Sequence, residues 1–107
     1  MQIFDLFELR QFYGKGAKGG EAVRKLGVAQ HYNEFGNSHN IAINEDTGFA
    51  YVIGSGTCAG GPHILDIRNP SEPAFVGCFD TDGYTHDCEC VVYHGPDEEF
   101  RGSEICL

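Results

Sequence analysis

An all-β fold built from repeated four-stranded antiparallel units is what the sequence predicts, and three observations carry the prediction. Fifteen glycines and no tryptophan, with short runs of Val, Ile, Phe and Tyr between turn residues, suit a loop-rich β chain rather than a helical one. The segment Gly36-Asn37-Ser38-His39-Asn40 returns as Gly83-Tyr84-Thr85-His86-Asp87, a Gly-x-Ser/Thr-His-Asn/Asp pattern offset by 47 residues. Ile3-Phe4-Asp5-Leu6 returns as Ile64-Leu65-Asp66-Ile67 at an offset of 61 residues. Four antiparallel strands in one such period make a β-propeller blade. The expected architecture is therefore a β-propeller fragment, with one complete blade and parts of two neighbours.

Residues 1–35 are expected to be the end of a preceding blade, with Met1 to Leu6 as one of its late strands. The two offsets differ by 14 residues, which places an insertion at Gly14 to Gly27. That stretch holds four of the seven basic residues and reads as an exposed Gly/Lys-rich loop, with a helical turn at Glu21 to Leu26. It suits either a basic docking loop or a tolerated surface insertion, since added loop length costs little. Residues 36–82 form the complete blade, with strands at His39 to Asn44, Phe49 to Ile53, His63 to Ile67 and Ala74 to Phe79. Glu45-Asp46-Thr47-Gly48 supplies a tight hairpin, Gly54 to Pro62 a glycine-rich connection, and Asn69-Pro70-Ser71-Glu72-Pro73 a proline-stiffened turn. Residues 83–107 start the next blade, with Cys88 to Tyr93 and then Glu104 to Leu107 as strands. On this reading the chain begins and ends in mid-blade, and a larger parent covers the strand edges and apolar faces left open.

Composition narrows the partners. A formal net charge of −9, from 16 acidic and 7 basic residues, repels a phosphate backbone and an anionic membrane surface, so nucleic acid is not expected. Such a surface serves solubility, or attracts cations and basic partners. No apolar run approaches the roughly 20 residues of a transmembrane segment. Met1-Gln2-Ile3-Phe4-Asp5-Leu6 has neither the basic start nor the continuous apolar stretch of a signal peptide. In a fragment that is silent about secretion.

His63-Ile64-Leu65-Asp66-Ile67-Arg68-Asn69-Pro70-Ser71-Glu72-Pro73-Ala74-Phe75-Val76-Gly77 resembles the LVIVP-type propeller repeat, in which an apolar strand ending in Asp-Ile/Val leads into an Asn-Pro-x-x-Pro turn. Ser38-His39-Asn40-Ile41-Ala42-Ile43-Asn44-Glu45-Asp46-Thr47-Gly48-Phe49-Ala50-Tyr51 is similar to the choice-of-anchor B family. So are Asp82-Gly83-Tyr84-Thr85-His86-Asp87, Tyr93-His94-Gly95-Pro96-Asp97 and Glu104-Ile105-Cys106. The resemblance covers most of residues 36–107 and the opening strand. It implies an extracellular or cell-surface propeller whose members differ in their anchors, and it speaks to fold more than to function. Two features depart from the pattern: the Gly14 to Gly27 insertion, and Cys88 where a small non-thiol residue is expected.

Five cysteines make two pairs and a remainder. In the blade register Cys58 and Cys78 fall on one rim, while Cys90 and Cys106 lie on adjacent antiparallel strands. Cys58–Cys78 and Cys90–Cys106 are therefore the expected disulfides, which imply an oxidising compartment. Cys88 is left unpaired, as a buried inert thiol or as one that bridges to another chain. A metal site at His86, Cys88 and Cys90 is disfavoured, because the outer two start about 13 Å apart on an extended strand, too far to share one ion.

Histidines and acidic loops are the remaining candidates. His39 and His86 occupy equivalent positions in successive blades and point toward one mouth of a central channel. There they would bind a transition metal, or simply hydrogen-bond neighbouring loops with Asn40 or Asp87 fixing their orientation. Asp80-Thr81-Asp82-Gly83-Tyr84-Thr85-His86-Asp87 resembles a short calcium loop through Asp80, Asp82 and Asp87, although it lacks EF-hand spacing and also reads as an acidic turn. No Gly-x-Ser-x-Gly elbow or phosphate-binding loop is present, and no catalytic residue is assigned. Three functions follow from these features: a non-enzymatic scaffold presenting loops to a protein partner or to like subunits, a metal-dependent oxidoreductase or hydrolase using the histidine pair, and a calcium-stabilised adhesion module.

Overall fold

The computed structural model of the chain describes residues 1–12 and 25–107. The expected insertion lies outside the described residues over 14–24, as does most of its expected helical turn. The architecture is mostly β, in three antiparallel sheets that follow one another along the chain. Among the described residues no helix is long and apolar enough to cross a membrane.

The central sheet has four strands in sequential order: β3 (Asn40–Asn44), β4 (Phe49–Ile53), β5 (His63–Asp66) and β6 (Ala74–Cys78). Its turns follow from their residues. Asn44 caps the β3–β4 hairpin by accepting the Asp46 amide on Oδ1 at 3.1 Å and the Gly48 amide on its carbonyl at 2.9 Å. Gly48 has φ +73°, and a Cβ there would sit 2.5 Å from the Arg68 side chain, so the turn requires glycine. After β5, Asp66 accepts the Arg68 amide and pairs with its guanidinium. Those hydrogen bonds hold the Asp66 carboxyl down at about 2. The outer strand β6 carries a bulge at Val76, where the partner of Ile64 is Gly77 and that of Leu65 is Phe75. A bulge on an edge strand discourages pairing with another chain.

A two-stranded ribbon precedes this sheet, β1 (Gln2–Ile3) with β2 (Gln30–His31), and another follows it, β7 (Cys90–Val92) with β8 (Glu104–Cys106). The first strand is shorter than expected: Leu6–Phe12 forms a 3-10 helix, and Asp5 Oδ1 accepts the Phe7 amide at 2.8 Å where the chain turns. Its register is informative. Gln2 pairs with His31 and Ile3 with Gln30, as His63 pairs with Cys78 and Ile64 with Gly77. The first members of these pairs are 61 residues apart and the second members 47, the two offsets of the sequence repeat. The β1–β2 ribbon thus repeats the β5–β6 pairing.

The ribbons cover opposite faces of the central sheet. Cross-strand partners share a face, so Ala50, Val52, Leu65 and His63 lie on one side, and Asn44, Phe49, Tyr51 and Ile64 on the other. Tyr32, just after β2, packs with Ala50, Val52 and Leu65 in the core, flanked by Met1, Phe35 and Ile67. On the opposite side the Glu104 carboxylate of β8 accepts from the Asn44 amide at 2.8 Å and the Thr47 hydroxyl at 3.0 Å. The fold is a stack of three sheets in chain order.

Candidate functional site

Two histidines meet at one end of this stack. His39 immediately precedes β3, where its amide donates to the Ile53 carbonyl at 3.0 Å. His86 belongs to the loop that leads to β7. Their rings lie 4.1 Å apart between centroids, tilted by 47°, and Tyr84 meets His39 edge-on at 6.2 Å. Both imidazoles are exposed. Their following residues are also joined, since the Asn40 amide donates to Asp87 Oδ1 at 2.9 Å. Two equivalent dipeptides, His39-Asn40 and His86-Asp87, therefore pair with each other.

The glycine-rich connection sets this arrangement. Gly54 has φ +62°, and a Cβ on it would lie 2.5 Å from His39 Cβ and 2.9 Å from the Tyr84 hydroxyl. Gly60 has φ +85° and lies equally close to Tyr84, while its carbonyl accepts the Gly54 amide at 2.9 Å and the Thr85 amide at 3.0 Å. One carbonyl thus ties the connection to the loop bearing His86. The loop lies against backbone that has no side chains to hold it off.

Asp87 is the acidic residue that joins this site. Its Oδ1 accepts both the Asn40 amide and the Cys88 backbone amide, each at 2.9 Å. Asp80 and Asp82 are exposed in the preceding loop, and among the described residues neither they nor His39, His86 and Asp87 belong to a group of three or more metal-ligating side chains. Cys88 is half-buried and unpaired, and burial followed by the Asp87 charge pushes its thiol pKa up. At neutral pH it is a protonated thiol and a poor nucleophile.

A second cluster, around His63, was not among the sequence candidates. Cys58 and Cys78 are disulfide-bonded with Cα atoms 5.4 Å apart, as Cys90 and Cys106 are at 4.1 Å. The His63 ring lies against the first pair, so that Cys58, His63 and Cys78 bring their donor atoms within 4.8 Å of one another. His63 is 4% exposed and surrounded by Tyr32, Phe35 and Phe75. Its Nε2 pairs with the Tyr32 hydroxyl at 2.9 Å and its Nδ1 with the Thr57 hydroxyl at 3.0 Å. Burial lowers its pKa against the weaker pull of Glu34. The ring is neutral with both nitrogens occupied, and the neighbouring sulfurs are bonded to each other. This cluster holds the fold rather than a ligand. Only its position at the head of an apolar strand marked His63 in the sequence, and its partners Tyr32 and Thr57 follow no local pattern.

Scans against protein-family models, curated proteins and solved structures each found no match. The site is therefore read from its own geometry.

Proposed function

We propose that this chain is part of an extracellular or cell-surface β-propeller scaffold of the choice-of-anchor B kind, presenting loops to a protein partner or to like subunits. The observation that carries this reading is the repetition of strand register under the two sequence offsets, with the three sheets stacked face to face. Blades of a propeller stack in this way around a common axis. The His39–His86 and Asn40–Asp87 contacts join equivalent positions of successive repeats, as expected where inner strands approach that axis.

Exposed surface supports the same reading. Ile43, Phe75, Val76 and Val91 are all about half exposed, on sheet faces and edges that neighbouring blades would cover. The two disulfides suit an oxidising compartment.

The test is intact mass of the natural protein before and after reduction, combined with membrane-impermeant labelling of intact cells. The expected result is a labelled species well above 11.7 kDa that survives reduction and contains these residues. A monomer of 11.7 kDa, or labelling only after lysis, would overturn the proposal.

A further inference from the structure

We infer that His39 and His86 form a binding site for a divalent transition ion of tetragonal preference, copper(II) or nickel(II). This goes beyond the scaffold reading and does not depend on it, because both ligands and the contacts that hold them lie within this chain.

With one nitrogen of each ring turned to a shared ion, the spacing of the rings sets the angle between the two ligands. An imidazole bound at the usual metal–nitrogen distance places its ring centroid about 3.2 Å from the ion. Two centroids 4.1 Å apart then subtend about 80° at that ion. That is near the right angle between adjacent ligands in square-planar and octahedral complexes. A tetrahedral ion such as zinc would require the centroids to be about 5.2 Å apart. Cis imidazoles with open remaining positions match copper(II) and nickel(II).

The pair is also available and preorganised. Among the described residues neither ring donates to or accepts from another side chain, whereas both nitrogens of His63 are occupied. Asn40–Asp87, Thr85–Gly60 and His39–Ile53 hydrogen bonds fix the backbones on either side, so ordering the ligands costs little on binding. Both hydrogen bonds to Asp87 fall on Oδ1, leaving the rest of its negative charge beside the site. The chain's formal charge of −9 favours cation approach. Solvent completes the coordination.

Titration of a copper(II) salt into the natural protein with its disulfides intact, and into a Cys88→Ser variant that removes the free thiol, tests the assignment. One ion per chain is expected, with an axial paramagnetic resonance spectrum showing two equatorial imidazole nitrogens. His39→Ala and His86→Ala should each weaken binding at least roughly tenfold, since each removes half the ligand set. His94→Ala should leave binding unchanged. Both substituted rings are exposed, and unchanged thermal unfolding of the metal-free variants verifies folding. Uptake that persists in the His39→Ala/His86→Ala double variant, or a spectrum with one nitrogen, would overturn the inference. So would wild-type uptake no greater than that of the double variant.

Discussion

The two faces of the central sheet are covered by different chemistry. Toward the β1–β2 ribbon, Tyr32 and Phe35 close over Ala50, Val52 and Leu65, and His63, buried among them, is neutral with both ring nitrogens hydrogen-bonded. Toward the β7–β8 ribbon the contacts are directional: Glu104 accepts from Asn44 and Thr47, and Asn40 donates to Asp87. Apolar packing is non-directional and stabilises in proportion to area, whereas hydrogen bonds fail when the partner shifts by a residue. Tyr51 and Ile53 are also buried on the second face, so both faces contribute apolar stabilisation, and the second additionally sets how successive repeats are aligned. That alignment brings His39 and His86 together.

The largest expected effect breaks the apolar face. Leu65 is completely buried, so Leu65→Ala should cost about 3 kcal/mol, through lost transfer energy and the cavity left behind. Denaturant unfolding measures it, and a loss below about 1 kcal/mol would mean that Leu65 is not a core residue in solution. The polar face should respond less. Glu104→Ala leaves the buried Asn44 amide without its acceptor and the Thr47 hydroxyl with only the Asn44 carbonyl at 3.5 Å, at a cost of about 2 kcal/mol. Glu104 also joins burial in raising the Tyr51 pKa: burial is the largest cause, followed by the carboxylate's hydrogen bond and charge. Glu104→Ala should therefore shift the Tyr51 phenol absorbance titration to lower pH. An unmoved titration would place Glu104 away from Tyr51.

Asn40→Ala sharpens the contrast, because its bond to Asp87 is exposed and should contribute about 0.5 to 1 kcal/mol. Its larger expected consequence is functional, since it frees the two dipeptides that carry the imidazoles. Copper(II) affinity should fall by more than thermal stability changes. Equal behaviour of wild type and variant in both assays would mean that the bond aligns nothing.

The strands of residues 36–82 were legible because each combines apolar residues with turn chemistry at both ends, and the observed boundaries differ from the expected ones by at most a residue. The cysteine pairs were legible from the blade register, Cys58 and Cys78 on one rim and Cys90 and Cys106 on adjacent strands. The β2 strand was not, because Gln30 and His31 are polar and carry no alternation; their pairing with Gln2 and Ile3 makes them a strand. The 3-10 helix at Leu6–Phe12 was missed because Ile3-Phe4-Asp5-Leu6 copies a strand sequence up to the residue where it turns. Alternating carboxylates marked Asp80 and Asp82 in the sequence, and both lie exposed in the loop before Asp87. His63 was overlooked because the sequence does not reveal that a histidine is held neutral by residues far along the chain.

That neutrality supports the subtlest test of the comparison. The folded-state pKa of His63 lies below its ordinary value of about 6.5, because burial penalises the imidazolium more than Glu34 favours it. The unfolded chain therefore takes up a proton at this residue as pH falls through about 6.5, while the folded chain does not, and the unfolded state gains. Stability contributed by His63 is fully present above that pH. It is lost progressively as pH falls toward the depressed folded value, and the loss is complete below it. In His63→Gln, whose side-chain amide offers both a donor and an acceptor to Tyr32 and Thr57, this component of the slope should vanish. Thermal unfolding followed between about pH 7.5 and 5 measures it, and His31, His39, His86 and His94 cancel because they are common to both proteins. Parallel pH profiles would mean that the imidazole becomes charged in place, and that Tyr32, Phe35 and Phe75 do not shield it from water.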